Sequence, residues 1–473
     1  MNEAQRLVRR LHAYALGRAV PTRGAYELSP DPTVTVGITT IKIVTEEHVQ
    51  ALAFGDFDGP PQVICRIDPL GRDASDMEPF ADWLIEKFDR AQGLDEMPRV
   101  WLPHAQTLET LDVLGHRYER NASASNSLRR MGSICRIIAR EHRHEGQQVA
   151  AIASSVLLDH VATGQSPGED AHLGALLAWV TPPATGTAAE LAARRAIEPA
   201  GGVLANHPGR RDDERIELLR REWKRSKGAR RVTLERQIRE VLERAAIDEW
   251  RLLTQARDAF WGLGLKMGAV GECVAASKSR VLFALDRGAI VPRNAVPRIR
   301  EMMALENSQD LIEEARLTAD PVLRADARRR GRALLGRIAL VEQAMPGRNP
   351  CVLTVSTAQR DLRFRRDDEI GAVGTKVVGK ILGIEYDDDT GGSLVRILLQ
   401  KGVRDERAIL VVGSELEWLR HSGFPLLKRL DAIRGLTTPW MLAAEGVAPS
   451  LPVGRRLGTD LIALAQRHLE GRS

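Results

Sequence analysis

The spacing of apolar residues divides this chain into three stretches, and this division constrains its fold more than any other feature. Residues 33–67 and about 350–413 alternate apolar and polar positions as β-strands do, whereas residues 104–345 show the three- and four-residue spacing of helices. With 473 residues, 43% apolar and 28% charged, the chain is long enough for about three folded domains. The sequence therefore predicts a multidomain α+β protein.

The first predicted domain, residues 1–100, is small and α/β. It contains a short antiparallel sheet within residues 33–67, broken at Gly55–Gly59 and Pro60–Pro61, and a helix that starts at the capping box Ser75–Glu78. An opening helix precedes the sheet. Its apolar face, which we expect to be buried, consists of Leu7, Val8, Leu11, Ala15 and Leu16.

The second predicted domain, residues 101–348, is all-helical. Its most regular segment is 230–261, where apolar residues recur at steps of four and three. This regularity favours a long helical hairpin that packs against a neighbour. A last helix is predicted over residues 321–344.

The third predicted domain, residues 349–413, contains four or five short strands. That size is typical of a small SH3-like or OB-like β-barrel. A helical tail, residues 414–473, follows; its signals are the capping box Ser414–Glu417 and the pair Thr438–Pro439.

Positive charge is concentrated in three places, although the net charge of the chain is only +5. The guanidinium group of arginine can donate two parallel hydrogen bonds to a phosphate, so separate basic clusters are typical of proteins that grip a nucleic-acid backbone. The first cluster lies within residues 220–231, the second within 324–337 and the third within 360–366. Phe364 and Tyr386 are too few aromatic residues for a platform on which bases could stack. The predicted nucleic-acid-binding residues are Arg220, Arg221, Lys224, Arg225, Lys227, Arg230, Arg231, Arg324, Arg328, Arg332, Arg363, Arg365 and Arg366.

The leading hypothesis is a non-enzymatic subunit that binds the phosphate backbone of DNA or RNA. Because no nucleotide-binding site is visible, a protein partner such as an NTPase or a nuclease would supply the catalysis. The alternative is a protein–protein scaffold whose arginines are solvated or paired with nearby acidic residues, since such surface pairs contribute little energy.

An enzyme is the third hypothesis, and it depends on Asp56-Phe57-Asp58-Gly59. This string follows an apolar strand and resembles the first motif of haloacid-dehalogenase-like phosphatases, as well as the paired aspartates of primase-polymerase folds. The resemblance covers these four residues and implies metal-dependent phosphoryl transfer or nuclease activity with Asp56 and Asp58 as catalytic residues. The same residues also suit a hairpin turn.

Other motifs have simpler interpretations. Gly164–Gly168 has the spacing of a nucleophile elbow, but Ser166 and Glu169 form a capping box; Gly374–Lys380 has the spacing of a P-loop, but the chain continues as a strand. Asp159, His160, Asp170 and His172 could converge into a metal site, although satisfied polar positions at helix ends explain them better.

The four cysteines are far apart and none forms a CxxC pair, so we predict no zinc site and no bound cofactor. The longest apolar run is shorter than the ~18 residues that span a bilayer, and the N-terminal leucines are interleaved with arginines. These features predict a cytoplasmic protein that is not inserted in a membrane.

Overall fold

The computed structural model describes residues 3–22, 28–42, 48–69, 74–201, 211–264, 271–288, 295–343, 351–387 and 391–421. The chain divides into two compact units, Met1–Ile290 with Ala304–Phe424, and Val291–Met303 with Pro425–Ser473. The described elements belong to the first unit, apart from residues 295–303 at the start of one helix. The predicted tail after residue 421, including Thr438–Pro439, lies outside the described residues.

The described residues within 3–201 form both helices and short strands. The helices are α1 (Glu3–Leu16), α2 (Glu78–Gly93), α3 (Ala105–Tyr118), α4 (Asn126–Glu141), α5 (Ala153–His160), α6 (Pro167–Asp170), α7 (Leu173–Val180) and α8 (Ala188–Arg195). The strands are β1 (Val20–Pro21), β2 (Thr35–Ile41), β3 (Ala51–Asp56), β4 (Gln62–Cys65), β5 (Arg99–Leu102), β6 (Ala150–Ile152) and β7 (Val161–Ala162). A 3-10 turn over Ser75–Met77 precedes α2, so Ser75 is not the N-cap that its capping-box spacing predicts.

The main sheet of this part has the order β4-β3-β2-β5-β6. Strands β2, β3 and β4 are antiparallel, as predicted, but β2, β5 and β6 run parallel. Since β6 belongs to the segment predicted to be all-helical, that prediction was wrong. Every residue of β5 and β6 is buried, so these short strands lack the alternation that reveals a half-exposed strand.

Helices cover both faces of this sheet. On one face, β2 and β3 contribute Ile38 and Phe54 to a core shared with α2, α3 and α4. On the other face, Ala51 and Ala53 contact the long helical hairpin formed by α9 (Arg211–Arg225) and α10 (Gly228–Gly262). The predicted long hairpin is therefore present.

The remaining described elements are α11 (Gly271–Arg287), α12 (Ala295–Ala319), α13 (Pro321–Arg329), β8 (Ala333–Gln343), β9 (Cys351–Thr357), β10 (Glu369–Ala372), β11 (Val378–Asp387), β12 (Gly392–Lys401) and β13 (Glu415–Arg420). Their six strands form an antiparallel sheet in the order β8-β9-β12-β11-β10-β13, and β13 pairs with β8 again. Trp418 lies in its core with no exposed surface. The structure thus has six strands in this order, whereas the sequence predicted an SH3-like or OB-like barrel of four or five strands.

Two helix predictions in this region were wrong. The chain leaves α13 at Arg329 and enters β8 at Ala333, so the predicted helix over 321–344 is half strand. Glu415–Arg420 is strand β13 rather than the start of a tail helix. In both segments the apolar spacing is compatible with a helix and with a strand. Antiparallel pairing with a strand that is distant in sequence stabilises the strand.

The sequence predicted helix α1 correctly, but the face that it predicted to be buried is exposed. Ala13 is fully buried against the chain, and Arg10 forms a 2.7 Å ion pair with Asp170. These contacts hold the polar side of α1 inward. Its apolar side is exposed, with 58% of the Leu7 surface and 60% of the Leu11 surface accessible.

Candidate nucleic-acid interface

The first basic cluster surrounds the turn between α9 and α10, and the structure gives its members different roles. Arg220 is 7% exposed and donates hydrogen bonds to the carbonyl oxygens of Arg66, at 2.9 Å, and Ile67, at 3.0 Å. A guanidinium group used in this way ties α9 to the chain after β4. Arg220 is therefore a structural residue rather than a phosphate ligand.

Three more arginines of this cluster have carboxylate partners along the hairpin. Arg221 lies 3.2 Å from Glu217 and Arg230 lies 2.5 Å from Glu222. Arg231 lies 3.5 Å from Glu235 and also stacks over the ring of Trp223, with its guanidinium carbon 4.4 Å from the ring centroid. These contacts neutralise the sides of the hairpin and join its two helices.

The rest of the cluster consists of three residues that we call the hairpin tip: Lys224, Arg225 and Lys227. All three side chains are exposed, and none has a carboxylate partner among the residues that the structure describes. The first turn of α10 also contains no acidic residue. The N-terminus of α10, next to Lys227, carries partial positive charge, whereas Lys224 and Arg225 lie in the last turn of α9, where the C-terminus of the helix carries partial negative charge.

The second basic cluster is used internally. Arg324 and Arg328 both contact Glu417 of β13, at 2.6 and 2.8 Å, and only 13% of the Glu417 side chain is exposed. Arg332 pairs with Glu313 of α12. These arginines attach α13 and the start of β8 to their neighbours, so the regular spacing that pointed to phosphate binding has a structural explanation.

The third cluster remains at the surface but is balanced by acidic residues. Arg363 and Arg365 line a pocket of about 550 Å³ together with Arg332 and Arg420. Four carboxylates line the same pocket: Asp310, Glu313, Glu314 and Asp368.

Arg366, the last member of that cluster, is exposed beside Asp367. A hydrogen bond from Lys380, and to a smaller degree the charges of Lys380 and Arg366, lower the pKa of Asp367. That carboxylate is therefore ionised at neutral pH and offsets part of the local positive charge.

Asp56 and Asp58 lie at the end of β3 and in the connection to β4, as the turn interpretation expects. Asp56 accepts a hydrogen bond from the Lys87 ammonium group at 2.8 Å. Within the described part of the chain, no three His, Cys, Asp or Glu side chains come together as a metal site would require. Among the described residues, these two aspartates therefore have no third His, Cys, Asp or Glu side chain beside them.

The other predicted motifs have local roles. Ser166 and Glu169 form a capping box at the start of α6, as predicted. His172 accepts from the backbone amide of Ala175 at the start of α7, and Asp170 accepts from Thr163 and Gln165. These are the helix-end positions that were the alternative to a metal site.

A buried charge pair was not predicted. His104 follows β5, and its Nε2 lies 3.0 Å from Oε1 of Glu249 on α10, with 5% and 1% of the side chains exposed. Burial opposes ionisation of the carboxyl group, but the contact and charge of His104, the amide of Gly201 and the charge of His172 together lower the pKa of Glu249. Neither residue stands in a recognisable motif, because the pair forms only when α10 covers the sheet.

A groove of about 780 Å³ lies between the end of α13 and the outer surface of β8 and β9. Aliphatic side chains of β8 and Val412 form its floor, and Arg328, Arg329, Arg337 and Glu415 stand at its sides. We call this the α13 groove.

Comparison with known proteins gives no family: no family model, no curated protein and no solved structure matches the chain. A search of the helices within the described ranges finds none that is both long and apolar enough to cross a bilayer.

Proposed function

We propose that this chain is a non-enzymatic nucleic-acid-binding subunit that contacts the phosphate backbone through the hairpin tip. The observation that carries the proposal is the exposure of Lys224, Arg225 and Lys227 without a carboxylate partner among the described residues. Other predicted cations of the first two clusters pair with acidic residues or backbone carbonyls. The hairpin tip is thus the part of those clusters best able to gain energy by neutralising phosphates.

The contact would be to the backbone rather than to bases. Trp223, the aromatic residue of the tip, is only 7% exposed, and its indole nitrogen donates to Glu235 at 2.9 Å. A ring held in this way has no free face for a base, whereas stacking proteins present exposed rings. Binding would therefore be sensitive to salt and tolerant of sequence.

Arg363, Arg365 and Arg366 would contribute less, because the acidic residues around them already offset their charge. DNA and RNA have the same phosphate chemistry, so the proposed ligand is either of them. A protein partner, such as an NTPase or a nuclease, would act on the nucleic acid that this subunit holds.

The test is charge reversal at the tip. Lys224→Glu/Lys227→Glu should weaken binding of labelled DNA and RNA at least tenfold and should lower the log–log salt slope by about two, because two phosphate contacts are lost. Fluorescence anisotropy from about 50 to 200 mM salt measures both quantities.

The matched control is Arg404→Glu/Arg407→Glu, which makes the same change in net charge at exposed positions of the loop before β13. It should alter binding less than threefold. Equal losses in both variants would mean that net charge alone drives binding, and wild-type protein without measurable affinity would reject the proposed function.

A further inference from the structure

We propose that the α13 groove binds an acidic peptide segment of a partner protein, with aliphatic side chains of the segment on the groove floor. This site is separate from the hairpin tip and does not depend on nucleic-acid binding. Its volume, about 780 Å³, lies within the range of about 300–1,000 Å³ that ligand pockets occupy.

The floor of the groove is aliphatic. Leu335 is partly exposed and Val412 leaves 62% of its surface accessible, whereas Ile338, which also lines the groove, belongs to the core of the sheet. Burying such surface under another apolar group yields roughly 25 cal/mol per Å². The described residues of the lining include no aromatic ring, so the floor suits leucine, isoleucine or valine side chains better than nucleic-acid bases.

The sides of the groove are predominantly basic. Arg329 is 74% exposed even though it contacts Asp326 at 2.8 Å, and Arg328 keeps 32% of its side chain accessible beside Glu417. Arg337 is exposed on β8, with no ion pair to a carboxylate within the described residues. Three guanidinium groups and one carboxylate, Glu415, thus line the groove, and Arg337 is the lining arginine without an ion pair among the described residues.

Arg337 is placed to select the charge of the occupant. In the sheet it lies opposite Glu415 of β13 and opposite Ser356 of β9, at the middle of the groove. A guanidinium group at this position can donate two parallel hydrogen bonds to a peptide carboxylate. Charge complementarity together with the aliphatic floor points to a segment rich in Asp or Glu and interrupted by aliphatic residues.

The probe is a fluorescein-labelled hexapeptide, Glu-Leu-Glu-Glu-Leu-Glu, measured by anisotropy with the full chain. We expect it to bind at least tenfold more tightly than the same peptide with serine for leucine or with lysine for glutamate. Arg337→Glu and Val412→Asp should each weaken binding at least tenfold. Both side chains are exposed, so Val412→Asp should leave the melting temperature unchanged, and Arg337→Glu, which places a second carboxylate opposite Glu415, should lower it only slightly.

Arg404→Glu, outside the groove, should leave peptide affinity unchanged, and so should Lys224→Glu/Lys227→Glu at the hairpin tip. That last control separates this proposal from the proposed function. No peptide binding, equal binding of the lysine peptide, or unchanged affinity in the Arg337 and Val412 variants would overturn it. A labelled oligothymidylate whose binding falls in both groove variants would also overturn it, in favour of a nucleic-acid groove.

Discussion

At the residue scale, His104 and Glu249 form a buried pair at the place where α10 covers the main sheet. A carboxylate without water requires nearby polar groups, and here the amide of Gly201 donates to Oε2 of Glu249 at 3.1 Å, while Nε2 of His104 lies 3.0 Å from Oε1. Removal of one member of such a pair costs more than the pair itself contributes, because the other member is left buried and unpaired.

The pair predicts an acid-sensitive component of stability. Glu249 has a lowered pKa in the folded chain, so its contribution is present above the ordinary value of 4.5 and is lost as pH falls through the lower folded value. Glu249→Gln should destabilise the chain by about 3–5 kcal/mol at pH 7. It should also show a smaller loss of stability between pH 5 and pH 3 than the wild type.

Thermal and urea unfolding across this pH range measure both effects. The control is Glu86→Gln on α2, an exposed carboxylate for which we expect a change within about 0.5 kcal/mol. If the two variants behaved alike, Glu249 would not be a buried ionised group.

At the element scale, apolar periodicity predicted the existence of helices but not which side of each helix is buried. In α1 the apolar stripe that includes Leu7, Val8, Leu11 and Tyr14 faces outward, with 58–66% of each side chain exposed. The buried side of α1 is defined instead by the 2.7 Å ion pair of Arg10 with Asp170 and by Ala13. Single-helix periodicity contains no information about a partner 160 residues away.

This orientation predicts an unusual tolerance of polar substitution. Leu11→Ser should change the free energy of unfolding by no more than about 0.5 kcal/mol, because the leucine side chain is already in water. Leu84→Ala on α2 should cost about 2–5 kcal/mol, since Leu84 is fully buried. Chemical denaturation compares the two, and a large loss for Leu11→Ser would mean that the stripe is covered.

At the scale of the whole molecule, the main sheet and the α9–α10 hairpin form one packed body. Gly37 of β2 makes this possible, since a Cβ atom there would lie 2.7 Å from Cζ3 of Trp250 on α10. The Trp250 ring in turn stacks on Phe57, with centroids 5.5 Å apart. The contact between Gly37 and Trp250 joins residues more than 200 positions apart.

Gly37→Ala should therefore loosen the hairpin from the sheet and destabilise the chain by about 1–3 kcal/mol, as overpacking of a core does. Gly93→Ala at the end of α2 is the control, because no atom lies within 4 Å of its added methyl group. Trp fluorescence and unfolding curves report both variants. Equal stability of the two would show that Trp250 can move aside at little cost.

Much of the coarse architecture could be predicted because its signals are local. The long α10 helix, the antiparallel strands β2 to β4 and the Ser166–Glu169 capping box all depend on residues close together in sequence. The candidate sites were predicted less well, since local charge density cannot distinguish an arginine that faces solvent from one that contacts Glu417.

Local signals in the sequence were sufficient to predict the antiparallel strands β2 to β4, the long hairpin and the positions of the basic clusters. Tertiary structure decided that β5 and β6 join the N-terminal sheet, that β8 and β13 are strands, and that the hairpin tip keeps its cations free of carboxylate partners within the described residues. The difference comes from the sequence distance over which each interaction acts. Helical periodicity and capping act over a few residues, whereas sheet pairing, burial and ion pairing depend on partners that only the folded chain brings together.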